Sequence, residues 1–92
     1  TLQILVEGHT DDVPMKPSTN LQDNWDLSVL RATSIVRILI KDGGVQQTRI
    51  TASGKGEYSP VAPNDSPENK AKNRRTEIIL SPKLDVLYDL VN

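Results

Sequence analysis

Residues 24–39 read NWDLSVLRATSIVRIL. Ala32, Ile35, Val36 and Leu39 recur at helical spacing, which predicts an amphipathic helix with one apolar stripe. Asn24 suits the N-cap, Asp26 complements the positive end of the helix dipole, and Gly43-Gly44 provides a stop. Strand patterns flank this helix. Upstream, Leu2 to Gly8 (LQILVEG) alternates in apolar character and ends at Gly8-His9; downstream, Arg49 to Ser53 (RITAS) reads as a second strand. Between them, Asp11 to Asp23 is polar and carries Pro14 and Pro17, hence a loop. A second loop, rich in Gly, Pro and Asn, runs from Gly54 to Pro67. Glu68 to Asn73 suits a short helix capped by Ser66, and Thr76 to Leu80 (TEIIL) a third strand. Pro82 to Val91, apolar at 84, 87, 90 and 91, predicts a short terminal helix. Strands alternating with helices predict an α/β two-layer sandwich.

The 92 residues make one domain, 1–92, with 36% hydrophobic and 25% charged residues, an ordinary globular balance. A net charge of −1 offers no field for nucleic acid or an anionic membrane. Without cysteine there is neither a disulfide framework nor thiolate chemistry. No apolar run approaches the roughly 20 residues of a membrane span, and no signal peptide is visible. The abrupt start in an apolar strand reads as an excised piece of a longer protein, with any targeting or anchoring segment upstream. Trp25, Tyr58 and Tyr88 are the only aromatics, too few for the stacking platforms of many sugar or single-strand binders.

Asn24, Leu27, Ser28 and Arg31 share one side of the first two helical turns, and that line continues into Ile35 and Leu39. Arg31 thus begins the core stripe. A partly buried guanidinium needs an anionic partner. The nearest carboxylates in sequence, Asp11 and Asp12, give two readings: an internal salt bridge or a ligand site. His9, close to Asp11 and Asp12, superficially suggests a metal, but without a second His, a Cys or a third ligand in register a structural histidine is the better reading. Asp11, Asp12 and Glu7 are the available paired carboxylates for hydrolysis, yet Glu7 alternates away from Val6 toward solvent. No nucleophile elbow is present, and Gly54-Lys55-Gly56 lacks phosphate-loop spacing. Lys70, Lys72, Arg74 and Arg75 form a basic cluster that reads as a solvated face or, less simply, as an anion site.

Three ordered motifs then carry a resemblance. Gly8-His9-Thr10-Asp11, Asn24-x-x-Leu27-Ser28-x-x-Arg31-Ala32-x-x-Ile35-x-x-x-Leu39 and Asn73-Arg74-Arg75 closely resemble the OmpA-like peptidoglycan-binding domain. Asp12-Val13-Pro14, the start Asn24-Trp25-Asp26-Leu27-Ser28, and Gly54-x-Gly56-Glu57-x-x-Pro60-x-Ala62-x-Asn64 look most like its MotB-like branch. The resemblance spans Ile4 to Leu80. It implies a β/α/β/α/β sandwich lacking the family's first strand and helix, and non-covalent binding of the peptidoglycan stem peptide at diaminopimelate.

The end of diaminopimelate is zwitterionic and demands one anion beside one cation. As the resemblance implies, Asp11 accepts the ammonium and Arg31 holds the carboxylate, helped by backbone N–H groups at the helix N-terminus. Thr10, Asn24 and Leu27 line the pocket, and Arg74 contacts the peptide. No cofactor, metal or catalytic residue is implied. The protein would be a periplasmic wall anchor tethered to the inner or outer membrane by a segment outside this chain, in an outer-membrane OmpA-type protein or a flagellar stator. The alternatives are a wall-processing hydrolase and a dimerisation module with a vestigial wall site. Three departures stand out: a longer loop between Asp11 and Asn24, Asn69-Lys70 in place of the usual Gly-Arg, and the missing first strand and helix. The last predicts an uncovered sheet edge, closed by self-association into a homodimer or by Leu84 to Val91.

Overall fold

The computed structural model describes residues 2–82. The expected terminal helix, Pro82 apart, lies outside the described residues. Strands β1 (Leu2–Gly8), β2 (Ile50–Gly54) and β3 (Thr76–Pro82) form one mixed sheet in the order β2-β1-β3. Helix α1 (Asn24–Lys41) is the crossover between the parallel strands β1 and β2 and lies across both. Helix α2 (Pro67–Asn73) leads into β3, which runs antiparallel to β1. The architecture is the expected α/β two-layer arrangement.

Ile4, Val6 and Gly8 face α1, and their register partners share that face: Ile50, Ala52 and Gly54 on β2, and Leu80, Ile78 and Thr76 on β3. Val6 and Ala32 are fully buried between the layers. Because α1 covers β1 and β2, Ile78 and Leu80 stay 53% and 59% exposed on the helix side of β3.

Small residues set the distance between the layers. A Cβ added at Gly8 would collide with the carbonyl oxygen of Ser28, and one at Gly54 would meet the Ser28 side chain and lie 2.6 Å from Val29 Cγ2. Two glycines opposite each other in the ladder thus let Ser28 and Ala32 sit directly on the sheet. This close crossing delivers the first turns of α1 to the C-terminal end of β1.

Element ends depart from expectation for local reasons. The N-cap of α1 is Asp23, not Asn24: its carboxylate accepts from the Asp26 N–H at 3.0 Å, while Asp26 accepts from the Gln22 N–H at 2.9 Å. Residues Gln47–Arg49 form a 3-10 turn, so β2 begins at Ile50 rather than Arg49. Ser66 caps α2 as expected, by accepting from the Asn69 N–H at 3.2 Å.

Candidate functional site

Past β1, the chain enters a segment of buried polar residues. His9, Thr10 and Asp11 are 1%, 3% and 7% exposed, and Asn24, Ser28 and Asn73 are buried beside them. Such burial requires hydrogen bonding. The His9 N–H donates to the Arg75 carbonyl at 2.8 Å, and the Thr10 N–H to that of Gly56 at 2.9 Å. Asn24 donates to the carbonyls of Asp11 and Val13 at 3.3 and 3.1 Å. Ser28 accepts from the Gly56 N–H at 3.0 Å and donates to the Trp25 carbonyl at 2.8 Å. Gly56 takes this position at a φ of +61°, open to glycine at little cost.

The Asp11 carboxylate is held on both oxygens. Oδ1 accepts from the Val13 N–H at 3.1 Å, and Oδ2 pairs with Arg74 Nη1 at 2.6 Å. Asp12 pairs with Lys70 at 3.5 Å. Arg31, half-buried, donates to the His9 carbonyl at 3.3 Å and forms no ion pair among the described residues. So Asp11, Arg31 and Arg74 converge on the segment His9–Asp11: one anion and two cations, one of the cations without a carboxylate.

Asn73 organises the opposite wall. Its buried amide accepts from the N–H groups of Val61 and Ala62 and donates to the Ala62 carbonyl and Asn64 Oδ1, at 2.8–3.1 Å. This fixes residues 61–64 against the end of α2, from which Arg74 reaches Asp11.

Below the site lies a clasp. Glu7 and Glu77 are opposite each other in the β1–β3 ladder, a repulsive pairing by itself. His9 Nε2 lies 2.8 Å from Glu7 and 3.4 Å from Glu77, and Arg75 grips Glu77 at 2.6 Å. His9 Nδ1 is buried without a partner among the described residues, so the tautomer that fits carries its proton on Nε2, toward Glu7. Three ligand atoms here lie within 4.8 Å of one another. A bound cation would have to displace the Arg75 guanidinium from Glu77, and the cluster works as a strand fastener.

The OmpA family profile matches residues 1–74 of this chain. The chain belongs to the OmpA family. It is 42% identical to motility protein B of Bacillus subtilis over 80 residues, 87% of this chain and 30% of that protein. The chain thus spans about a third of this relative. Among solved structures, the C-terminal domain of Helicobacter pylori MotB superimposes with a TM-score of 0.81 at 34% identity, covering 98% of this chain and 67% of that one. The peptidoglycan-associated lipoprotein of Burkholderia pseudomallei does so with a TM-score of 0.72 at 28% identity, covering 87% and 63%.

Within this OmpA-family domain, the structure brings Thr10, Asp11, Asn24, Arg31 and Arg74 to one end of β1, with Leu27 half-buried on the same helix. One expectation needs correction, that for Glu7, and three others are made more specific. Of the two readings of Arg31, the internal salt bridge to Asp11 or Asp12 does not form among the described residues, because Arg74 and Lys70 take those carboxylates. At the N-terminus of α1 the Asp23 carboxylate takes the Asp26 N–H, and the Asp26 carboxylate accepts from the Gln22 N–H, so two acidic side chains stand at the first turn. Glu7 does not point into solvent but accepts from His9, with its side chain 14% exposed. In the basic cluster Lys70, Arg74 and Arg75 each pair with a carboxylate, while Lys72 and Arg74 stay exposed to solvent. Sequence reasoning missed Gly56, Asn73, Arg75 and Glu77 as site supports. Asn73 and Arg75 stood in the third motif, but their contacts with residues 59–64 become visible only in the fold.

Proposed function

We propose that this domain binds the stem peptide of peptidoglycan non-covalently at diaminopimelate, and so anchors a membrane-tethered periplasmic protein to the cell wall. The observation that carries the reading is Arg31: a half-buried guanidinium held by the His9 carbonyl, beside a carboxylate already positioned by Val13 and Arg74. A zwitterionic group completes that arrangement. Its carboxylate meets the planar fork of Arg31, and its ammonium shares the lone pairs of Asp11 with Arg74. One anion between two guanidinium groups leaves one positive charge in excess, which suits a ligand bearing a second carboxylate. Motility protein B and the peptidoglycan-associated lipoprotein, as relatives, support the same class of role. Both Asp11 oxygens and Glu7 are engaged in hydrogen bonds, a geometry for holding rather than for proton transfer.

Titration of diaminopimelate-containing and lysine-containing muropeptides into the protein tests the reading. Lysine lacks the carboxylate for Arg31, so it binds far more weakly, and both muropeptides are recovered uncut. Arg31→Ala costs roughly 2–5 kcal/mol of affinity with little change in melting temperature. Equal affinity for the two muropeptides, or an Arg31→Ala protein that binds as well as wild type, overturns it.

A further inference from the structure

Two of the chain's three aromatic residues meet in space. The rings of Trp25 and Tyr58 stack with centroids 5.1 Å apart and planes inclined by 27°. Both remain open to solvent, Trp25 48% and Tyr58 64% exposed. The pair is supported from below. Both rings lie over Gly56, where an added Cβ would come within 3.3 Å of Tyr58 and 3.4 Å of Trp25. Ser28 ties the Trp25 carbonyl to the Gly56 N–H. The Gly56 carbonyl in turn holds the Thr10 N–H, and Asn24, next to Trp25, holds the Asp11 carbonyl. The backbone that carries the aromatic pair is therefore tied to the peptide site through Gly56 and Asn24.

We infer that Trp25 and Tyr58 form a stacking platform for a sugar ring of the glycan that bears the stem peptide. The inference rests on the proposed function and extends it from the peptide to the carbohydrate. A pyranose presents a face of C–H groups ringed by hydroxyls. An open aromatic face buries those C–H groups, while the indole N–H and the phenol at the rim supply polar contacts. In a stacked pair each ring braces the other, so the open outer face is held rigid at small conformational cost, since each side chain has two torsions to fix. Composition alone argued against a sugar platform, with so few aromatics. Bringing two of them together removes that objection.

Calorimetric titration of the full chain with two ligands tests the platform. One is the free diaminopimelate-containing stem peptide; the other is the same peptide on its N-acetylglucosaminyl-N-acetylmuramyl disaccharide. Wild type binds the disaccharide form about five-fold to ten-fold more tightly. Trp25→Ala and Tyr58→Ala erase that advantage and leave affinity for the free peptide unchanged. Trp25 is the sole tryptophan, so in wild type its fluorescence shifts with the disaccharide ligand and not with the free peptide. Should Trp25→Ala fail to fold, Tyr58→Ala and the fluorescence of wild type decide the matter. Equal affinity for the two ligands with an unshifted emission overturns the platform and leaves the peptide reading standing. Binding of neither ligand overturns both.

Discussion

At its C-terminal end β1 runs into His9, Thr10 and Asp11, all less than a tenth exposed, whereas at its other end Leu2, opposite Pro82, is 45% exposed, and Leu80 and Ile78 stay half-open along the β3 flank. Buried polar residues therefore cluster at the end where the site lies, and apolar side chains stay open on the flank. Among the described residues only Val6 and Ala32 are fully buried apolar groups, against six buried polar ones. The site end is held by hydrogen bonds that have few spare partners. A group removed there leaves others stranded, while a group removed from the flank was already in contact with water.

The largest expected effect that would break this contrast is at Gly8. Gly8→Ala drives a Cβ into the Ser28 carbonyl and prises α1 off the sheet, a loss of about 3 kcal/mol in stability. Chemical denaturation measures it, and a midpoint like that of wild type would show that the layers are not in tight contact at this end.

Asn73→Ala comes next. It strands the N–H groups of Val61 and Ala62 and the Ala62 carbonyl, which costs roughly 2 kcal/mol. Hydrogen exchange sharpens the result: amides 61 and 62 lose protection while those of β1 keep it. Uniform loss across the sheet would place Asn73 in the general core instead.

Leu80→Thr is the smallest. On the open flank the substitution shifts stability by less than about 0.5 kcal/mol. A loss comparable to that of Asn73→Ala would mean that the flank is covered in solution, and sedimentation would then show whether a second copy covers it.

Much of the fold was legible because alternation and helical spacing are local signals. LQILVEG, the stripe Ala32 to Leu39 and TEIIL all became the expected elements. The misplaced N-cap shows the limit of locality: Asp23 and Asn24 are both good caps, and the choice fell to Asp23 because the Asn24 amide is needed by Asp11 and Val13. In the site, residue types were legible and their partners were not. Arg74 reaches Asp11 across 63 positions, while nearby Arg31 does not pair with it. Glu7 and Glu77 become neighbours only through the β1–β3 register, and Trp25 meets Tyr58 only once α1 crosses the sheet. Pairings of this kind depend on the assembled topology and leave no mark in local pattern.

The place of β1 in the sheet has a mechanical consequence. It is the central strand, with one ladder to parallel β2 and another to antiparallel β3, and the candidate site hangs directly from its C-terminal end. Tension applied at Asp11 along β1 runs parallel to the strand and at right angles to the antiparallel ladder bonds. Both ladders then carry the load in shear, and their bonds must fail together. The same pull on either edge strand would load a single ladder. A grip at the end of the middle strand is the arrangement that spreads a tug over the whole sheet.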